Sequence, residues 1–208
     1  MKLKGLLGLS LAVALTVSAL PASAATDNTD INTAYSELIE KIHDPESESG
    51  GFDSFKLIYV NNDDVPELLA VHTPKDEYDN AGVYSYAVYT YYNGKAVNLG
   101  GFSSGVASAG GYRGDTSYIP RSGKIYETYI SSGSGEGEDI IHVMKKGALK
   151  KKAKGEYSIA TETQKWNGKE VSAKKYSKKL KKAFNSKKAK SFEGLKTISY
   201  KAMMGKLS

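Results

Sequence analysis

Four short turns dictate most of what this chain can fold into. Asn93-Gly94, Ser122-Gly123, Lys146-Gly147 and Asn167-Gly168 each stand between apolar or alternating runs, and three of them continue into lysine. A two-residue Asn-Gly or x-Gly link between such runs is a hairpin signal, because glycine and asparagine accept the positive φ of the tight primed turns. The run before the first turn, Val83 to Tyr92, alternates Val and Tyr with small or polar residues, and Lys95 to Leu99 returns from it. Phe55 to Val60, Glu67 to His72, Ile125 to Ile130 and Ile140 to Met144 read as further strands. Hairpins in series make an antiparallel meander, and abundant tyrosine suits a sheet face with rings inside and hydroxyls wet.

Helical periodicity flanks this region. Ala34, Leu38 and Ile42, with Tyr35 and Ile39 beside them, predict a helix over 33–42, capped by Asp30 or Asn32 and ended by His43-Asp44-Pro45. Ala173, Tyr176, Leu180, Ala183 and Phe184 predict a second helix behind Ser172 as N-cap, with lysine at most other positions. The expected fold class is α+β. It comprises an N-terminal helix, an antiparallel meander of roughly six to eight strands and a basic C-terminal amphipathic helix. The expected organisation is a signal peptide over 1–24, helix and linker over 25–51, the β domain over 52–171 and a basic helical segment over 172–208.

The signal assignment rests on Lys2 and Lys4, the apolar run Leu6 to Leu20 and the small-residue site Ala22-Ser23-Ala24. It places the mature chain in a secreted or cell-surface setting, with no transmembrane segment once the signal is removed. The chain has no cysteine, which rules out disulfides, a lipobox, zinc-thiolate sites and a cysteine nucleophile.

Charge is strongly polarised. Residues 25–144 carry 19 Asp/Glu against 7 Lys/Arg, whereas residues 145–208 carry 20 Lys against 4 Glu. A lysine-rich end is attracted to an anionic surface such as an acidic wall polymer, lipid or glycan; alternatively it neutralises its own acidic body. Nucleic acid is not expected as a partner. The two arginines, Arg113 and Arg121, lie outside the basic end, and base readout relies on arginine forks and stacking aromatics.

The segment Tyr59-Val60-Asn61-Asn62-Asp63-Asp64-Val65-Pro66-Glu67-Leu68 has nearly the oxygen spacing of a calcium loop, with Asn61, Asp63, Asp64 and Glu67 as candidate ligands. It resembles the D-x-D-x-D-G-x-P-E-L signature of secreted, mostly uncharacterised Firmicutes proteins, which is similar to FG-GAP and VCBS calcium loops. Here the signature is degenerate: its first ligand position falls on Tyr59 and its glycine position on Asp64. The resemblance implies export and, as an alternative function, a calcium-dependent ligand-binding module. It implies no activity. No other cofactor is expected.

Enzymatic chemistry finds little support. Gly101-Phe102-Ser103-Ser104-Gly105 matches a nucleophile-elbow pattern, with Asp115 or Asp139 and His142 in triad order, but the following residues are glycine-broken where a helix is needed. Glu127, Glu136 and Asp139 are carboxylates of the kind glycosidases pair. Gly133 to Asp139 reads as a mobile acidic loop, and His43, His72 and His142 have no metal spacing. No catalytic residue is assigned. The expected function is a secreted, non-enzymatic, envelope-associated protein held by its lysine-rich end, with a hydrolase as the remotest alternative.

Overall fold

The structure, a computed structural model, describes residues 28–44, 46, 51–74, 82–107 and 111–208; the segment 1–24, expected to be a signal peptide, and most of the linker expected before Gly51 lie outside them. Helix α1 spans Asn28–His43 and buries Ile31, Tyr35, Ile39 and Ile42. That stripe begins a turn earlier than periodicity over 33–42 predicts. Asp30 and Asn32 therefore lie inside the helix, and Asp30 faces the positive end of its dipole. The helix does end at His43, whose Nδ1 is 2.9 Å from the Phe52 carbonyl and whose ring stacks on Tyr200 at 4.2 Å.

Among the described residues the sheet is antiparallel and has twelve strands rather than six to eight. Its strands are β1 (Ser54–Ile58), β2 (Glu67–His72), β3 (Val83–Tyr92), β4 (Lys95–Val106), β5 (Tyr112–Ile119), β6 (Lys124–Ser131), β7 (Glu136–Lys145), β8 (Ala148–Ser158), β9 (Thr163–Trp166) and β10 (Lys169–Glu170). Helix α2 (Ala173–Ala183), a 3-10 turn (Ser186–Lys188), β11 (Lys190–Ser191), β12 (Ile198–Ser199) and helix α3 (Tyr200–Leu207) complete the chain. Helices and sheet are both present, but the molecule is mostly β. The end expected to be purely helical also contributes β11 and β12.

Strands β1 to β10 follow one another in sheet order. Three predicted turns have the expected primed geometry, with φ of 53° and 81° at Asn93-Gly94, 52° and 67° at Lys146-Gly147, and 50° and 76° at Asn167-Gly168. The loop from Gly133 does not stay apart from the sheet: Gly135 N–H donates to Ser131 O at 2.8 Å, and Glu136 already opens β7.

One junction breaks the regularity. Strands β4 and β5 pair only at Gly105–Gly114 and Val106–Arg113. A Cβ on Gly105 would lie 1.9 Å from Gly82 O, and one on Gly114 would lie 2.1 Å from the Tyr112 hydroxyl oxygen. Only glycine permits this crowded corner. Beyond it, the sheet folds over on itself, so that Leu69, Val88 and Phe102 from β2–β4 share one core with Tyr118, Ile125 and Met144 from β5–β7. A second core, Ile39, Phe55, Leu68 and Met203 among its members, lies beneath α1 and α3. A third, with Ile141, Trp166, Tyr176 and Phe184, lies beneath α2.

The C-terminal segment closes the fold. Where β5 has parted from β4, β11 takes its edge through Lys190–Tyr118 and Ser191–Ser117, and Phe192 N–H donates to Thr116 O at 2.8 Å. The chain then crosses to β1, which β12 extends through Ser54–Ser199 and Phe55–Ile198. Phe192 is 1% exposed and packs against Tyr86, Phe102 and Tyr118 at centroid distances of 5.4, 5.9 and 5.8 Å.

Candidate functional site

The acidic turn between β1 and β2 is held by its own side chains. Asn61 Oδ1 accepts from Asp63 N–H at 2.8 Å, and Asn61 Nδ2 donates to Asp63 Oδ2 at 2.7 Å. Asp63 Oδ1 accepts from Val65 N–H at 3.1 Å. These are Asx-type bonds that replace backbone pairing in a tight turn. Asp64, at the position where the signature has glycine, takes φ of 62° and pairs with Arg121 at 2.6 Å.

Glu67 leaves this group. It is 0% exposed, and its Oε2 accepts the Val60 N–H at 2.7 Å. Thr90 Oγ1 stands 3.5 Å from its Oε1, and Tyr35, also fully buried, donates its hydroxyl to Pro66 O at 2.7 Å. Burial pushes the Glu67 carboxyl up to about 7, aided by the Asp63 charge and opposed by the Val60 N–H. The turn thus brings Asn61, Asp63 and Asp64 together on the surface and turns Glu67 inward. Among the described residues no cluster of three His, Cys, Asp or Glu is arranged to hold a metal ion.

The other sequence candidates are dispersed. Ser103 lies within the continuous strand β4, with no strand–turn–helix elbow, and its carbonyl accepts from Thr116 Oγ1 at 2.9 Å. Asp115 holds Ser117 and Ser191, each at 2.6 Å. His142 pairs with Glu127. Because cross-strand partners share a face, Glu127 opposite Ile140 and Asp139 opposite Thr128 point to opposite sides of the sheet. His43, His72 and His142 each bond a different partner, Phe52 O, Gly51 O and Glu127 respectively.

Asp139 has a structural task that sequence alone did not disclose. It is 4% exposed and accepts the hydroxyls of Tyr126 and Tyr176, both at 2.5 Å. Tyr176 belongs to α2, so this carboxylate pins the helix to the sheet. Gly155, opposite Asp139 in β8, leaves the room: a Cβ there would meet the Tyr176 hydroxyl oxygen at 2.2 Å. Burial and the Asp139 charge push both tyrosines well above the usual phenol range.

Pinned in this way, α2 turns its basic side outward. Ser172 caps it, its hydroxyl accepting from Lys175 N–H, while Tyr176 is buried and Leu180 packs beside it. Lys174, Lys175, Lys178, Lys181 and Lys182 are exposed, as are Lys187, Lys188 and Lys190 beyond the helix. The ion pairs among the described residues are Arg121–Asp64, His142–Glu127 and those of Lys154 with Glu138 and Glu156. None uses a lysine from 172–208.

A groove of about 610 Å³ opens where the C-terminal crossing meets β1. Lys56, Arg121, Lys190 and Lys196 line it together with Tyr59 and Tyr118, and among the described residues no carboxylate does. The Lys56 ammonium donates to Lys196 O at 2.6 Å, tying the two walls together. These residues come from three distant segments, and no local pattern marks them as neighbours. Comparison with protein-family models, with curated proteins and with solved structures returned no match.

Proposed function

We propose that this is an exported, non-catalytic protein that associates with the cell envelope by holding an anionic polymer on its lysine-rich C-terminal face. The observation that carries the reading is the outward, unpaired basic surface of α2 and the 3-10 turn. Had the basic end served to neutralise the acidic body, its lysines would meet Asp or Glu, and among the described residues they do not. Closely spaced cations on one rigid face repel one another, and a polyanion relieves that repulsion while releasing its counterions. The signal-like residues 1–24 and the resemblance of the acidic turn to exported proteins support the setting.

The test is a change of charge at constant fold. Lys174→Gln, Lys178→Gln, Lys181→Gln and Lys182→Gln together keep helix propensity, since glutamine and lysine are close on that scale. They touch none of the side chains that dock α2. The quadruple variant should melt like the wild type and co-sediment at least about tenfold less with anionic cell-wall material at physiological ionic strength. Equal co-sedimentation of the two proteins would sink the proposal.

A further inference from the structure

We infer that the groove between β1 and the C-terminal crossing is the subsite that takes a single repeat of the polymer, and that the repeat is a phosphodiester-linked polyol or sugar. This deepens the reading above and rests on it. Lys56 from β1 and Lys190 and Lys196 from the C-terminal crossing converge on a groove that no carboxylate lines among the described residues. Its net charge is therefore positive and its ligand anionic. The position is continuous with the basic face, because Lys187 and Lys188 of the 3-10 turn lead directly into Lys190.

The kind of anion follows from how the cations are presented. Arg121 is the group suited to grip a carboxylate with a planar fork, and it is already engaged by Asp64 at 2.6 Å and lies over the Tyr59 ring at 4.7 Å. What remains is a set of ammonium point charges, those of Lys190 and Lys196 and that of Lys56, which already gives one hydrogen bond to Lys196 O, and point charges suit phosphate oxygens approached from several directions. The groove also has an apolar component, and Tyr59 is 41% exposed while Tyr118 is 4% exposed. A ring surface against C–H groups fits a polyol chain or a sugar face. Nucleic acid fits less well: one face of Tyr59 carries Arg121 and Tyr118 is almost covered, so successive bases find no stacking platform.

The experiment uses a defined glycerol-phosphate oligomer and single-stranded DNA with the same number of phosphates, titrated calorimetrically against the protein. The variants are Lys190→Gln with Lys196→Gln, whose side chains are exposed and bond nothing structural, and separately Tyr59→Ser. The lysine pair should lower affinity for the oligomer about tenfold or more, the scale of losing hydrogen bonds to a charged group. Tyr59→Ser should lower it without changing the salt dependence. With an oligomer of two repeats, the α2 quadruple variant should keep affinity within about twofold, because none of its four substitutions lies in the groove lining. Wild-type affinity in the lysine-pair variant overturns the groove and leaves the envelope reading standing. No binding of either the oligomer or cell-wall material by the wild type overturns both. DNA bound as tightly as the oligomer overturns the assignment of ligand class.

Discussion

Glu67 follows the acidic turn with a carboxyl group wholly withdrawn from solvent. Its place in the acidic turn marks it as a surface ligand, yet it is the buried acceptor of the Val60 N–H, with its carboxyl pushed up to about 7. The consequence for stability has a definite sign. A carboxyl whose folded value lies above its ordinary value holds its proton longer in the native state than in the unfolded one. Its contribution is thus fully present below pH of about 4.5 and is lost as pH rises through about 7. The loss is on the order of 3 kcal/mol for a carboxyl raised from 4.5 to about 7. Glu67→Gln keeps an acceptor for Val60 but has no proton to lose. Thermal melts of both proteins from pH 5 to pH 8 should therefore diverge, with the variant gaining on the wild type as pH rises. Parallel curves would show that Glu67 does not titrate in this range.

Helix α2 shows what an element owes to its own sequence and what it owes to its neighbours. Its amphipathic spacing and Ser172 cap are both visible in the sequence, but its seat depends on Asp139 and Gly155, in strands β7 and β8. Tyr176→Phe removes one hydroxyl from a buried carboxylate and should cost about 1.5–3 kcal/mol, the range for hydrogen bonds to charged groups. Gly155→Ala pushes a methyl into the same hydroxyl and should also unseat the helix. Hydrogen exchange is the discriminating measurement. In both variants α2 amides should lose protection while β2 and β3 amides keep theirs; uniform loss across the chain would mean the pin stabilises the whole fold instead. The same contrast explains which elements were legible. Strands Glu67–His72 and Val83–Tyr92 and the primed turns announce themselves through alternation and Asn-Gly chemistry, which are local. Strand β5 (YRGDTSYI) does not, because polar Asp115 and Thr116 occupy it and draw partners from elsewhere, Ser191 for Asp115 and Ser103 and Ser104 for Thr116. Strands β11 and β12 have two residues each and exist only through their partners β5 and β1. The groove was hidden for the same reason, since Lys56 and Lys196 are 140 residues apart in sequence.

At the scale of the molecule, the C-terminal segment does two things that its composition makes look like one. Its lysines face outward, which invites the view of a detachable basic tail. Its apolar residues deny that view: Phe192 fills the core between the folded halves of the sheet, while Met203 and Leu207 lie with α1 in the second core. Deleting residues 186–208 would also strip the covered edges of β5 and β1, leaving unpaired strand groups that invite aggregation. The charge and the closure are therefore separable by side chain but not by truncation. Phe192→Ala alone should lower stability by about 3–5 kcal/mol, the range for emptying a buried phenylalanine site. The deletion should abolish cooperative melting and near-ultraviolet circular dichroism, whereas the α2 quadruple lysine variant should retain both. If the deleted protein melts cooperatively near the wild-type temperature, the crossing from β5 to β1 is dispensable. In that case a truncated chain would become a fair control for polymer binding. If it does not, loss of envelope binding on truncation says nothing about charge, and only side-chain substitutions on the intact fold can locate the polymer.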